Sequence, residues 1–215
     1  RSLGELALCF MLGACRNIFH AGFQLKQSAW IKDGGYQLTG KTIGIIGCGH
    51  TGSEVIRLLA PFQCTILVRD IVDKSVFCRE YNAKEVSLKE IILKSDLISL
   101  HVPLTALTNK MVDTNFLKMM KSTAFLINTC RGGVVDQTAL KNALKKGEIA
   151  GAALDVFAEE PPKDQELLSL PNIMVTPHIG GNAKEAVEEM GRAAIQHLIL
   201  FFKNAAKVKS KPTIN

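Results

Sequence analysis

Three glycines in the segment Gly47-Cys48-Gly49-His50-Thr51-Gly52 carry the spacing of a loop that cradles phosphate. Such loops also occur in ordinary turns and in methyltransferases, so the flanking residues decide between them. The apolar run Thr42-Ile43-Gly44-Ile45-Ile46 leads into the loop, and Thr51 to Leu59 reads as a helix that ends before Pro61. Between a strand and a helix, Gly47 permits the tight turn, Gly49 lets the backbone approach a pyrophosphate, and Gly52 lets the helix lie close to the strand. The helix N-terminus, with His50 and Thr51, then faces the phosphate charge. Asp70 closes the next apolar run, eighteen positions beyond Gly52, where a carboxylate hydrogen-bonds the adenosine ribose. A carboxylate there repels a 2′-phosphate, so NAD is favoured over NADP, a choice that the neighbouring Arg69 softens.

The remaining reactive side chains are less telling one at a time. His178 follows Pro177, and Arg131 and Glu160 are of types that usually face solvent. The six cysteines, Cys9, Cys15, Cys48, Cys64, Cys78 and Cys130, form no CxxC pair and have no histidine at zinc spacing, so no metal site is expected. They read as buried free thiols of a reducing cytoplasm. The net charge of +6 comes from scattered lysines, with one concentration at Lys203, Lys207, Lys209 and Lys211. A solvated tail accounts for that cluster, and attraction of an anionic ligand is the sharper alternative. No basic run is interleaved with aromatics, which argues against nucleic acid. The apolar run Leu6 to Cys15 is too short to span a bilayer, and Glu5 breaks the pattern of an export signal.

From Lys41 onward, short runs rich in Ile, Val and Leu alternate with amphipathic segments, the pattern of parallel strands joined by crossover helices. The class is α/β: a Rossmann-type, doubly wound parallel sheet of about seven strands with helices on both faces. Strands are expected at Lys41 to Ile46, Cys64 to Arg69, Lys84 to Val86, Leu97 to Val102, Thr123 to Asn128, Ala152 to Val156 and Ile173 to Thr176. Ser2 and Glu5 suggest a capping box opening a helix that runs to about Ala21. Ser87 with Glu90, and Asp136 with Gly147, bound two further helices. A closing helix is expected from Asn182, capped by Glu185, with Val187, Met190, Ala194, Leu198 and Phe201 on one apolar face. One domain is the economical organisation: residues 1–30 a crossing helix and connector, 41–180 the core, 182–203 the closing helix.

Three segments, in order, carry a family resemblance: Ile127-Asn128-Thr129-Cys130-Arg131-Gly132-Gly133-Val134-Val135-Asp136, then Gly151-Ala152-Ala153-Leu154-Asp155-Val156-Phe157-Ala158-Glu159-Glu160-Pro161, then Thr176-Pro177-His178-Ile179-Gly180-Gly181. With the glycine loop and His101-Val102-Pro103-Leu104-Thr105, they resemble the D-isomer-specific 2-hydroxyacid dehydrogenases over nearly the whole chain. D-3-phosphoglycerate dehydrogenases and hydroxypyruvate reductases look nearest among the members.

The resemblance implies a catalytic trio. His178 would exchange the hydroxyl proton, Glu160 would hold its far nitrogen and stabilise the imidazolium, and Arg131 would grip the substrate carboxylate. It places Asp155 against the nicotinamide carboxamide and puts His101, Val102, Pro103, Thr108, Thr129, Cys130, Gly180 and Gly181 along the cofactor. Cys130 has no base assigned to it and is not read as a nucleophile. Glu160 stands where the formate dehydrogenase branch carries Gln, which makes that branch less fitting. The implied activity is NAD-dependent hydride transfer on a 2-hydroxy/2-oxo acid, with D-3-phosphoglycerate the leading substrate and a homodimer the implied assembly. An NAD(H)-sensing regulator or corepressor on the same fold is the alternative. Family members bind substrate between two domains, and the substrate domain is expected to lie largely outside this chain, leaving it able to bind NAD but poor in turnover.

Overall fold

The computed structural model describes residues 1–209, with side chains described as far as Lys203. Of the lysine cluster, Lys203 is exposed, and the side chains of Lys207, Lys209 and Lys211 lie outside the described residues. The chain falls into two compact units, one of Arg1 with Leu3–Gly180, the other of Ser2 with Gly181 onward. In chain order the helices are α1 (Ser2–Arg16), α2 (Ile18–Lys26), α3 (His50–Leu59), α4 (Ser75–Glu80), α5 (Leu88–Lys94), α6 (Thr114–Met119), α7 (Gln137–Lys146), α8 (Gln165–Leu168) and α9 (Lys184–Lys209). The strands are β1 (Thr42–Ile46), β2 (Thr65–Arg69), β3 (Ala83–Glu85), β4 (Leu97–Leu100), β5 (Phe125–Asn128), β6 (Gly151–Leu154) and β7 (Ile173–Val175).

All seven strands are parallel, in the order β3-β2-β1-β4-β5-β6-β7. Each central strand alternates between two cores. Ile43 and Ile45 of β1, Ile127 of β5 and Ala153 of β6 face a layer built with Phe10 and Met11 of α1 and Val55 and Ile56 of α3. Ile98 and Leu100 of β4, Leu126 of β5 and Leu154 of β6 face the opposite layer, with Ile91 of α5, Leu117 of α6 and Leu140 of α7. Both faces are dry, which is why the strands read as continuous apolar runs rather than alternating ones. Burying each such Ile or Leu stabilises the fold by about 1.5–3 kcal/mol. The order reverses between β1 and β4, so the crevice outside their carboxyl ends is where such a sheet binds ligands. Gly47 and His101 flank that crevice.

Several expectations shift in detail. The strands keep their places with ends moved by one or two residues; β4, for example, stops at Leu100, with the His101 N–H still donating to the Ile46 carbonyl at 2.8 Å. The helix after the glycine loop begins one residue earlier, at His50. The opening helix is two helices, broken at Asn17, which sits at φ 52 in the left-handed region where the first helix terminates. The Ser2–Glu5 capping box does not form. Arg1 is the N-cap instead, its guanidinium donating to Glu5 at 2.8 Å and to Glu54 at 2.6 Å, because an opposite charge within reach captures the Glu5 carboxylate. Cys9 is exposed rather than buried. The closing helix starts at Lys184, two residues late, and Val187, Met190, Ala194, Leu198 and Phe201 along it are exposed. No single described helix is long and apolar enough to cross a membrane.

Candidate active site

The glycine loop is built by contacts that exclude larger residues. Gly47 takes φ 92, its N–H donates to the Arg69 carbonyl at 2.8 Å, and a Cβ there would run into the His101 carbonyl. A Cβ on Gly52 would collide with the Gly47 carbonyl oxygen, so α3 lies directly on the turn. Gly49 differs from both: it is exposed, and a Cβ would meet nothing within 4 Å. The space in front of Gly49 is therefore open, and the amides of His50 and Thr51 begin the ten-residue α3 beside it. Asp70 closes the other side. Its Oδ2 accepts the Cys48 N–H at 2.6 Å and its Oδ1 the Val72 N–H at 2.9 Å. Partial burial opposes ionisation of Asp70, but those amides and the Lys74 ammonium outweigh it and hold the carboxyl below the usual carboxylate range. An open cradle, a helix N-terminus and an ionised acid at the end of β2 fit the pyrophosphate and ribose of a dinucleotide. Burial pushes the Cys48 thiol up to about 11, so it stays a neutral filler of the turn.

The loop after β4 forms the facing wall of the crevice, with Val102 half-buried and Pro103 exposed. Thr108 ties it together, donating to the Pro103 carbonyl at 2.6 Å and accepting the Thr105 N–H at 2.8 Å. His101 lies beneath. Its Nε2 is 2.9 Å from the Ser99 hydroxyl, and burial pushes its pKa down to about 4, leaving a neutral imidazole. The β4–β5–β6 register places His101, Thr129 and Asp155 in a row at the carboxyl edge. The His101 Nδ1 and the Thr129 hydroxyl are buried without a hydrogen-bond partner.

Arg131, Glu160 and His178 follow β5, β6 and β7, adjacent strands, and so emerge at the same edge. His178 Nδ1 is 2.7 Å from Glu160 Oε2, and Glu160 Oε1 accepts the Phe157 N–H at 3.0 Å. The hydrogen bond from His178 does most to hold the Glu160 carboxyl below its usual range, followed by the Phe157 amide, with Arg131 adding its charge. The described hydrogen bonds of the ring involve Nδ1 alone, which leaves Nε2 for other chemistry. His178 and Glu160 border a cavity of about 340 Å³ walled by Phe157, Pro161, Pro162 and Pro177. Arg131 is exposed, its Nη1 donating to the Cys130 carbonyl at 2.7 Å. Cys130 is bonded through both its N–H and its thiol to Asn128 Oδ1, and burial raises its pKa, consistent with a filling role.

Asp155 does more than its sequence context suggests. Only 1% exposed, it accepts the Thr176 hydroxyl at 2.6 Å and the Ile179 N–H at 2.8 Å on Oδ1, and the Gly180 N–H at 2.8 Å on Oδ2. These three donors bracket His178, which sits at φ 54, a left-handed conformation that costs a non-glycine residue about 1–3 kcal/mol. The buried carboxylate thus holds the histidine in place from both sides. Asn128 does the same for Arg131, donating from Nδ2 to the Arg131 carbonyl at 3.0 Å. Neither anchoring role shows in the sequence, although a polar residue inside an apolar strand is the available signal. Gly181 belongs to the second unit. Among the described residues, no group of three or more His, Cys, Asp or Glu is placed to hold a metal ion.

Comparison with known proteins matches residues 8–180 to the D-isomer specific 2-hydroxyacid dehydrogenase, NAD binding domain. The chain is 41% identical over 204 residues to a glyoxylate reductase of Pyrococcus furiosus, covering 91% of this chain and 61% of that protein. It is 37% identical over 218 residues to a D-3-phosphoglycerate dehydrogenase of Methanocaldococcus jannaschii, covering 99% and 42%. The solved structure of a D-lactate dehydrogenase from Aquifex aeolicus, complexed with NAD and lactic acid, superposes with a TM-score of 0.87 at 28% identity, covering 96% of this chain and 68% of that one. The chain thus spans about three fifths or less of the curated relatives named here.

Two outcomes follow from this geometry. Gly49→Ala leaves stability within about 1 kcal/mol, the range of an N-cap change, while weakening NAD binding measured by calorimetry; Gly52→Ala lowers the melting temperature as well. Equal effects on stability would contradict the open space at Gly49. Asp155→Asn turns an amide N–H toward a backbone donor and costs about 1–3 kcal/mol in denaturant unfolding, with loss of the His178 ring resonances typical of the folded loop; an unchanged spectrum would remove Asp155 from the positioning of His178.

Proposed function

The chain belongs to the D-isomer specific 2-hydroxyacid dehydrogenase family, whose NAD-binding domain it carries, and from that membership we propose that it serves hydride transfer between NAD(H) and a 2-hydroxy/2-oxo acid. The observation that carries the proposal is the 2.7 Å contact of His178 with Glu160 at the carboxyl edge of the sheet, next to the strand that delivers Arg131. Bound in the crevice, NAD(H) supplies the hydride acceptor or donor. His178 takes the hydroxyl proton when the acid is oxidised and returns one to the carbonyl oxygen when it is reduced. Glu160, held ionised, orients the ring through Nδ1 and stabilises the imidazolium that protonation creates. Arg131 offers a planar, permanently charged fork to the substrate carboxylate. Asp70 favours NAD over NADP, since a 2′-phosphate would face an ionised carboxylate.

D-3-phosphoglycerate is the substrate favoured from sequence, and the glyoxylate reductase names of similar proteins add glyoxylate beside it. Taken alone, residues 1–215 bind NADH but turn over poorly, in keeping with the fraction of the relatives' length they span. The protein works in the cytoplasm as a homodimer. Ile18, Phe23, Trp30, Ile31 and Tyr36 of α2 and the connector are exposed, and such an apolar surface suits a second copy.

In the polypeptide as the cell makes it, glyoxylate, hydroxypyruvate or 3-phosphohydroxypyruvate consumes NADH absorbance. His178→Ala lowers kcat by about 10²–10⁴-fold while NADH binding persists. NADH binding with no turnover on any of these acids would instead support an NAD(H)-sensing regulator. In sedimentation equilibrium the protein runs as a dimer that Trp30→Asp shifts toward monomer; a monomeric wild type would rule out the assembly.

A further inference from the structure

The loop that delivers Glu160 is held from an unexpected direction. Gln137, the first residue of α7, accepts the Ala158 N–H on Oε1 at 2.9 Å. The preceding N–H, that of Phe157, donates to Glu160 Oε1 at 3.0 Å, and Glu160 Oε2 reaches His178 Nδ1 at 2.7 Å. Two consecutive amides therefore point one to Gln137 and the other to Glu160. The Phe157 carbonyl lies so close to Gly132 that a Cβ on Gly132 would collide with it, which sets the loop against the turn that follows Arg131.

Gln137 itself stands on a fixed base. Asp136 caps α7 by accepting the Thr138 and Ala139 N–H groups, both at 3.1 Å, and its own N–H donates to the Val112 carbonyl at 3.0 Å. Residues 131–137 thus form one braced segment that presents Arg131 at one end and Gln137 at the other, with the Glu160 loop lying across it.

We infer that Gln137 is a positioning residue for the Glu160–His178 pair: by fixing the Ala158 amide, it aims the Phe157 amide at Glu160 and so sets the direction from which the carboxylate meets the imidazole. This rests on the proposed role of that pair, but the coupling itself is a property of the chain without substrate. Ala158 is exposed, so without Gln137 its N–H turns to water at little cost in stability. The Phe157–Ala158 peptide is then held only on its carbonyl side, by packing against Gly132, and a tilt of it carried through the Phe157 backbone angles shifts the Phe157 amide from its aim. That amide is the second contributor, after His178, to the low pKa of Glu160.

The test uses Gln137→Met, which keeps the length and removes the acceptor, with Gln137→Ala as a second variant and Thr138→Ala, at an exposed neighbour, as the control. The Glu160 carboxyl is followed by carbon-13 NMR across acidic pH, assigned by its loss in Glu160→Gln. In both Gln137 variants the Glu160 midpoint moves up by about half a unit, within the range such amide bonds command, while the melting temperature and the control stay at wild type. A Glu160 titration identical to wild type in folded Gln137→Met and Gln137→Ala overturns the inference, as does a fall in melting temperature with the titration unchanged. Where turnover is measured, the same variants lower kcat by about tenfold with the KM for NADH unchanged. A protein that turns over no 2-oxo acid leaves the NMR outcome to decide on the coupling alone, so failure of the proposed reaction and failure of the coupling remain distinct.

Discussion

A parallel sheet covered on both faces has no place for charged chemistry except its edge. The layers on both faces of this sheet are built from apolar side chains of β1, β4, β5 and β6, with uncharged, hydrogen-bonded Ser99 and Asn128 as buried polar members, and a charge placed there would lose several kcal/mol of hydration. The charged and imidazole side chains of the candidate site stand beyond the carboxyl ends, where each strand gives way to a loop. Because the strands are parallel, every one of them ends on the same side. Gly47, Asp70, His101, Arg131, Asp155, Glu160 and His178, far apart in the chain, therefore gather along one rim.

Three carboxylates along that rim are held ionised or anchored by different means. Asp70 is half-buried and owes its ionised form to backbone amides and a nearby lysine. Glu160 owes its own to the histidine first and an amide second. Asp155 is almost fully buried, and the described bonds of its carboxylate all come from donors of the segment that carries His178. A buried carboxylate is tolerable only when its oxygens are satisfied, and satisfying them fixes the geometry of whatever supplies the donors. The cost of burying Asp155 and the precision of His178 are thus two sides of one arrangement, which also holds a histidine in a backbone conformation it would otherwise avoid.

Much of this was legible in residues close together in the chain. The glycine loop and Asp70 declared themselves because a turn, a helix start and a strand end are local events with local residue requirements. Strand positions were recoverable because double-sided burial leaves uninterrupted Ile, Val and Leu. The break at Asn17 was hidden, since the flanking residues suit a helix on either side. The competition of Arg1 for Glu5 was hidden too, because Glu54, the other partner of Arg1, lies 53 residues away. The apolar stripe on α9 was visible, but periodicity specifies only that a face is apolar and not what covers it.

The sequence by itself determined the α/β class, the dinucleotide loop, the acid that follows it and the order of the residues proposed for catalysis. Each of these depends on spacing along the chain or on the chemistry of a single side chain. The tertiary structure decided that Asp155 anchors both flanks of His178, that Glu160 meets Nδ1, and that Gln137 reaches the loop bearing Glu160. Those contacts join residues 18 to 25 positions apart, and their angles are set by strand register and helix packing rather than by any local preference.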